Sequence, residues 1–164
     1  MTKLNSYLSL IRFYNPIGFW LLLWPGLWGL FLSDNFNIEN FTIVVLGSFL
    51  TRSLGCAIND FLDKDFDKSV ERTKNRPIAS KELSLSEAGI FIILLASFCI
   101  FLLMQTNPYT IKLVSYIAIP MIILYPLMKR FLAMPQLFLG ATFGLSLPIS
   151  YSIAESTLSL EVIF

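Results

Sequence analysis

Apolar positions along this chain fall in long blocks, and polar positions gather in the connections between them. The blocks run near Ile17–Leu32, Phe41–Ile58, Ala88–Met104, Leu113–Met128 and Leu137–Ala154. A helix needs roughly 20 apolar residues to cross a bilayer, so each block is long enough, or nearly so, to span one. The pattern predicts an all-α fold, a polytopic transmembrane helix bundle of about five spans. One membrane domain would cover residues 1–164, with its main loop near residues 61–87. The first block is short, carries Pro25, and is readable as a bent helix beginning as early as Ser6. Pro120 and Pro148 interrupt the fourth and fifth blocks, as membrane helices allow where neighbours or a cavity satisfy the freed carbonyls. No internal repeat or low-complexity tract stands out.

Composition narrows the class. The chain is 55% hydrophobic and 14% charged, with a mean hydropathy of +0.70, more apolar side chain than a soluble domain of this size can bury. A net charge of +1 gives no basic field for nucleic acid. The absence of histidine removes imidazole acid–base chemistry and imidazole metal ligation. Cys56 and Cys99 lie in apolar blocks and read as small buried hydrophobes, neither a disulfide nor a metal pair. The first residues lack the pattern of a cleavable signal peptide.

Charge then orients the bundle. Lys3 and Arg12 precede the first span; Lys64, Lys68, Arg72, Lys74, Arg76 and Lys81 fill the second connection; Lys129 and Arg130 follow the fourth span. The opposite connections hold Asp34, Glu39, Lys112, Glu155 and Glu161. The positive-inside rule predicts a cytoplasmic N-terminus, with residues 61–87 and Lys129-Arg130 on the same side.

The second block ends in Asn59-Asp60-Phe61-Leu62-Asp63-Lys64-Asp65-Phe66-Asp67. If the helix continues, Asn59, Asp63 and Asp67 stack on one face, with Asp60 beside them and Asp65 off the stripe in solvent. Carboxylates at that spacing repel unless a cation lies between them, and hard oxygen donors suit Mg²⁺ together with substrate phosphate oxygens. Asn59, Asp60, Asp63 and Asp67 are therefore the expected metal residues, Asp60 either as a ligand or as a partner behind the ligands. Arg52 lies two turns before Asn59 on the same face, a costly intramembrane cation that needs a partner or a task. Snorkelling is its bland alternative. The tryptophans Trp20, Trp24 and Trp28 read as packing or interface residues. Gly55, Gly140 and Gly144 read as points of close helix approach, the last two forming Gly-x-x-x-Gly.

Gly55 to Asp67, continued by Glu71-Arg72-Thr73-Lys74-Asn75-Arg76-Pro77-Ile78, resembles the first aspartate-rich motif of the UbiA family of intramembrane aromatic prenyltransferases. Arg12 with Pro16-Ile17-Gly18 and Leu21-Leu22-Leu23-Trp24-Pro25 resembles that family's first helix. Tyr125 to Arg130 with Pro135-Gln136, and Leu139 to Gly144 with Pro148, resemble its fourth and fifth. Tyr14-Asn15 departs from the family, which commonly has an acid and a base there. The family usually has about nine spans and a second aspartate-rich motif beyond the fifth or sixth, a motif this sequence does not contain.

The resemblance implies Mg²⁺-dependent transfer of a polyprenyl group from polyprenyl diphosphate to 4-hydroxybenzoate or a similar aromatic acid, within a bacterial or mitochondrial inner membrane. It implies catalytic roles for Asp63, Asp67 and Arg52, and substrate contacts for Arg12, Arg52, Arg72, Arg76, Lys129 and Arg130. The alternative for Arg72, Lys74 and Arg76 is lipid headgroup and topology charge; for Lys129-Arg130 it is orientation charge alone. A second reading is a truncated, non-catalytic protein that keeps only the first metal and diphosphate half-site. A third, a small cation transporter, needs acids facing each other at mid-membrane, whereas these fall at a helix end beside a basic loop.

Overall fold

Three runs of this chain are long and apolar enough to cross a membrane as helices, and two shorter apolar helices accompany them. The computed structural model describes residues 2–124 and 134–159, all in helices, turns and coil, with no strand among them. In chain order the helices are α1 (Lys3–Leu10), α2 (Ile17–Phe31), α3 (Ile38–Leu62), α4 (Lys64–Asp67) and α5 (Leu85–Leu103). They are followed by α6 (Pro108–Leu124), α7 (Pro135–Gly144) and α8 (Ser146–Glu155). Helices α3 and α5 are two of the three spans, and Gln136–Glu155 is the third. Over the described residues the five expected blocks are found as helix, the fourth as far as Leu124 and the fifth as α7 and α8, while α1 is a separate element rather than the start of a bent first span.

Local signals set the ends. Asn37 accepts from Asn40 N–H (2.8 Å) ahead of α3. Ser84 and Glu87 cap α5 reciprocally: Glu87 N–H donates to Ser84 Oγ and Ser84 N–H to Glu87 Oε2. Asn107 caps α6 by accepting from Thr110 N–H, with Pro108 as first helical residue. Two prolines explain irregularities further on. Pro120 has no N–H for the carbonyl of Tyr116 four residues earlier, and Tyr116 lies in a π-helical turn, Val114–Ala118. Pro148 has no N–H for the Gly144 carbonyl four residues earlier, and regular helix is interrupted at Leu145, between α7 and α8, while Leu145 keeps helical dihedrals (φ −58°, ψ −20°). Pro25, by contrast, is accommodated inside α2.

The chain forms two compact units, and α3 and α5 contribute to both. The first comprises Met1–Gly18 and Leu50–Ile100. Its core joins Leu10 of α1, Ala57 of α3, Ile78 and Leu83 of the connection, and Ala88 and Leu95 of α5. Polar ties reinforce it: Lys3 pairs with Glu87 (2.7 Å) and Ser6 donates to Glu82 (2.8 Å). The second comprises Phe19–Phe49 and Phe101–Phe164, built on Leu23, Leu30 and Val44. In it Asn107 Nδ2 donates to the Ser152 carbonyl (2.6 Å), and Thr110 and Ser152 share a buried hydroxyl contact (2.8 Å). Glu155 receives the N–H groups of Asp34 and Asn35.

The glycines are corrected by the structure. A Cβ at Gly55, Gly140 or Gly144 would meet nothing within 4 Å among the described residues, so these are not points of close approach there. Gly29 is one: a Cβ there would collide with the Leu147 carbonyl and Ser150 Oγ of α8. A Cβ at Gly26 would lie 3.0 Å from Val44 Cγ1. Trp20, Trp24 and Trp28 lie on the exposed side of α2, each about half exposed, consistent with an interface role. Cys56 and Cys99 are both free.

Candidate active site

The acidic segment begins inside α3, which runs four residues beyond the end of the apolar block at Ile58 and carries Asn59 and Asp60 in its final turn. At Asp63 the backbone leaves helical geometry briefly (φ −90°, ψ 5°) and α4 follows. The one-turn steps persist through this junction. Asp63 N–H donates to the Asn59 carbonyl (2.9 Å), and Asp67 N–H to the Asp63 carbonyl (2.8 Å). Asn59, Asp63 and Asp67 therefore follow one another at helical spacing as the sequence suggested.

Asp60 is placed differently. Its side chain is 1% exposed, and a carboxylate at that depth needs partners. Arg12 supplies them from just past the end of α1: its Nη2 donates to Oδ1 at 2.7 Å and to Oδ2 at 3.0 Å. Arg76 Nη1 lies 3.1 Å from Oδ1 of the same carboxylate. That nitrogen also donates to Oδ2 of Asp67 at 2.8 Å, and Asp67 too is nearly buried. The result is a cluster of two acids and two guanidiniums, with Arg76 shared between Asp60 and Asp67. Asp60 thus holds arginines, where the sequence reading had set it among the metal residues.

Arg12 occupies its place at a conformational cost. It has φ +59°, the left-handed region that disfavours residues with a Cβ. The hydrogen bonds explain why: Phe13 N–H donates to Leu8 O (2.9 Å) and Arg12 N–H to Ser9 O (3.0 Å). This is the Schellman arrangement that ends many helices, with arginine where glycine is the usual choice. The side chain that justifies the substitution is the one on Asp60.

The connection after α4 is a folded strap. Consecutive turns bond Val70 to Asp67, Lys74 to Val70, Ser80 to Arg76 and Leu83 to Pro77. Thr73 is buried and donates its hydroxyl to the Asp67 carbonyl (3.1 Å). Of the expected basic residues here, only Arg76 turns inward. Arg72 is exposed, and Lys74 pairs with Glu71 at 2.6 Å on the surface. Asp65 is exposed as expected, and its hydrogen bond to Lys68 (2.9 Å) holds its carboxyl below the ordinary value. Lys129 and Arg130 lie outside the described residues.

Arg52 is half-buried in α3. Gly18, in the first turn of α2, leaves the space for its guanidinium: a Cβ there would come within 2.6 Å of Nη2 and closer still to Nε. Gly18, Thr73 and the Arg12–Asp60 pair were not assigned these roles from sequence. The family-like Pro16-Ile17-Gly18 segment was the available signal for the first.

By donor type the segment suits Mg²⁺: an amide and two carboxylate oxygens follow at one-turn steps. Among the described residues no three acids yet converge on one point, and one oxygen of Asp67 is engaged by Arg76. The fit is one of residue type and order at Asn59, Asp63 and Asp67, and not at Asp60, whose oxygens both face guanidiniums.

Residues 22–164 match the UbiA prenyltransferase family. The 4-hydroxybenzoate octaprenyltransferase of Polynucleobacter asymbioticus is 42% identical over 161 residues, 97% of this chain and 56% of that protein. The enzyme of the same name from Pasteurella multocida is 44% identical over 162 residues, 97% of this chain and 55% of its own length. The chain spans about half the length of the curated relatives it matches. A structure of digeranylgeranylglyceryl phosphate synthase superimposes with a TM-score of 0.75 at 26% identity, over 92% of this chain and 53% of its own. A UbiA homolog from Archaeoglobus fulgidus, bound to GPP and Mg²⁺, gives 0.72 over 96% of this chain and 56% of its own; at 17% identity it bears on the fold alone. With its membrane-spanning helices and its acidic segment in that frame, the chain belongs to the UbiA prenyltransferase family.

Proposed function

We propose that this chain carries the metal- and diphosphate-binding wall of a prenyltransferase site, one that moves a polyprenyl group from its diphosphate to the ring of 4-hydroxybenzoate or a similar aromatic acid. The observation that carries this is the run Asn59, Asp63, Asp67 in one-turn steps at the end of a spanning helix, with Arg12 and Arg76 clustered on its acids. The names of the octaprenyltransferase relatives support the substrates. The GPP and Mg²⁺ of the archaeal homolog support the cofactor.

In the reaction the allylic carbon–oxygen bond breaks and diphosphate departs with the electron pair. The ring carbon beside the phenol hydroxyl bonds to the allylic cation, and the ring loses a proton. Asn59, Asp63 and Asp67 would hold Mg²⁺, which when bound offsets the negative charge of the leaving diphosphate. Arg52, seated on Gly18, supplies a cation inside the membrane for diphosphate or for the carboxylate of the acceptor. Arg76 brings a second cation to the same acids. Arg72 is an entry contact at the surface, and Lys129 and Arg130 would serve the diphosphate as well. The exposed Phe, Leu and Ile side chains of the spans face lipid, the solvent of the polyprenyl tail. The site and the N-terminus face the cytoplasm of a bacterial inner membrane, by the placement of the basic connections.

The second reading is a half-site that binds metal and diphosphate without turnover, since the acidic segment supplies binding groups by itself. Membranes containing this chain, supplied with labelled polyprenyl diphosphate and 4-hydroxybenzoate, separate the two. Prenylated product that requires Mg²⁺ and is lost in Asp63→Ala supports the enzyme. Mg²⁺-dependent retention of labelled diphosphate with no product supports the half-site. Neither retention nor product contradicts both.

A further inference from the structure

Arg76 bridges Asp60 and Asp67, and Asp67 is one of the three oxygen residues read above as the metal site. We propose that Arg76 is the internal counter-cation of Asp67, held there by Asp60 as its positioning residue, and that it competes with the divalent ion for Asp67. The inference rests on the metal reading of Asn59, Asp63 and Asp67 and goes beyond it by assigning Asp60 and Arg76.

Three observations carry it. First, Asp67 is almost buried, so its charge needs a partner whether or not an ion is present. Arg76 is that partner, at 2.8 Å. Second, Arg76 does not depend on Asp67 for its place. It also lies 3.1 Å from Asp60, whose carboxylate is fixed from the other side by Arg12. When an ion takes Asp67, Arg76 keeps Asp60 and turns its remaining donors toward an incoming anion, without becoming an unpaired buried charge. Third, the strap that carries Arg76 is anchored: Ile78 and Leu83, which follow it, are core residues, and Thr73, which precedes it, bonds the Asp67 carbonyl. Charge accounting gives the sign. Arg12, Arg76, Asp60 and Asp67 sum to zero. Removing Arg76 makes the cluster more negative; removing the charge of Asp60 makes it more positive.

The test is Mn²⁺ binding to the purified chain in detergent, read by electron paramagnetic resonance of free Mn²⁺. Arg76→Gln should bind Mn²⁺ about fivefold more tightly than the unchanged chain, the scale of losing one close, partly buried competitor. Asp60→Asn should bind more weakly, since two guanidiniums are left without their shared anion. Lys81→Gln, an exposed cation on the same strap, carries the same charge change without the contact and should stay within about twofold. Arg76→Lys guards against misfolding. A single ammonium cannot fork to both acids as guanidinium does, so its affinity should fall between those of the unchanged chain and Arg76→Gln. Retained helical circular dichroism qualifies each variant. If both Arg76 variants bind Mn²⁺ no more tightly than the unchanged chain, or Lys81→Gln gains as much as Arg76→Gln, the competition is wrong while the metal site stands. Absence of Mn²⁺ binding in every form overturns the metal reading, and the inference with it.

Discussion

At the scale of single residues, Arg12 shows how a backbone cost reveals a side-chain role. Its left-handed conformation ends α1 where glycine is normally found, and its guanidinium is the main partner of the buried Asp60. The two contributions separate by mutation. Arg12→Ala and Arg12→Gly both lose the ion pair, but only glycine relieves the backbone. Arg12→Gly should therefore be more stable than Arg12→Ala by about 1 kcal/mol, measured by reversible unfolding in mixed micelles; equal stabilities would mean that the backbone stores no strain there. From sequence, Asp60 looked equivalent to its neighbours because helical spacing places it beside them. Its partners come from 48 residues earlier and from the strap beyond α4, and no local pattern encodes pairs at that distance.

Among the elements, the spans were legible and their joints were not. Hydropathy adds up over a segment, so α3, α5 and Gln136–Glu155 emerge from composition. The apolar block ends at Ile58, and the helix continues past it as the acidic spacing suggests, but only as far as Leu62. Asn59 and Asp60 stay helical since their backbone bonds continue and Asp60 is neutralised by arginine. The capping box Ser84-Leu85-Ser86-Glu87 and the Asn107-Pro108 start of α6 were readable signals that went unused. The glycines show the limit of motif reading. Gly140 and Gly144 have the right spacing for a helix contact and meet nothing described, whereas Gly29 is pressed against backbone of α8. Gly29→Ala should cost about 1–3 kcal/mol, because a carbonyl cannot rotate away as a side chain can. Gly140→Ala should be neutral or stabilise by up to about 1 kcal/mol through helix propensity. Unfolding of the two variants side by side checks the pair, and a loss at Gly140 matching that at Gly29 would restore the Gly-x-x-x-Gly contact.

For the molecule as a whole, composition narrows the expectation to a membrane class, and the apolar helices agree with it. The acidic segment then supplied the chemistry, and the family match covers residues 22–164. What the fold adds is the neutralisation of that chemistry. Acids that looked like an open cation ladder are partly paired with arginine from just past the end of α1 and from the strap. In the proposed site an anionic substrate and its cation would arrive together, since each would remove a charge the other leaves exposed. The most direct measurement is titration of the detergent-purified chain with inorganic pyrophosphate, by calorimetry, with Mg²⁺ and with EDTA, for the unchanged chain and Asp63→Ala. Binding that requires Mg²⁺ and disappears in Asp63→Ala, while helical content is retained, is the predicted result. Pyrophosphate binding that is indifferent to both Mg²⁺ and Asp63 would contradict it.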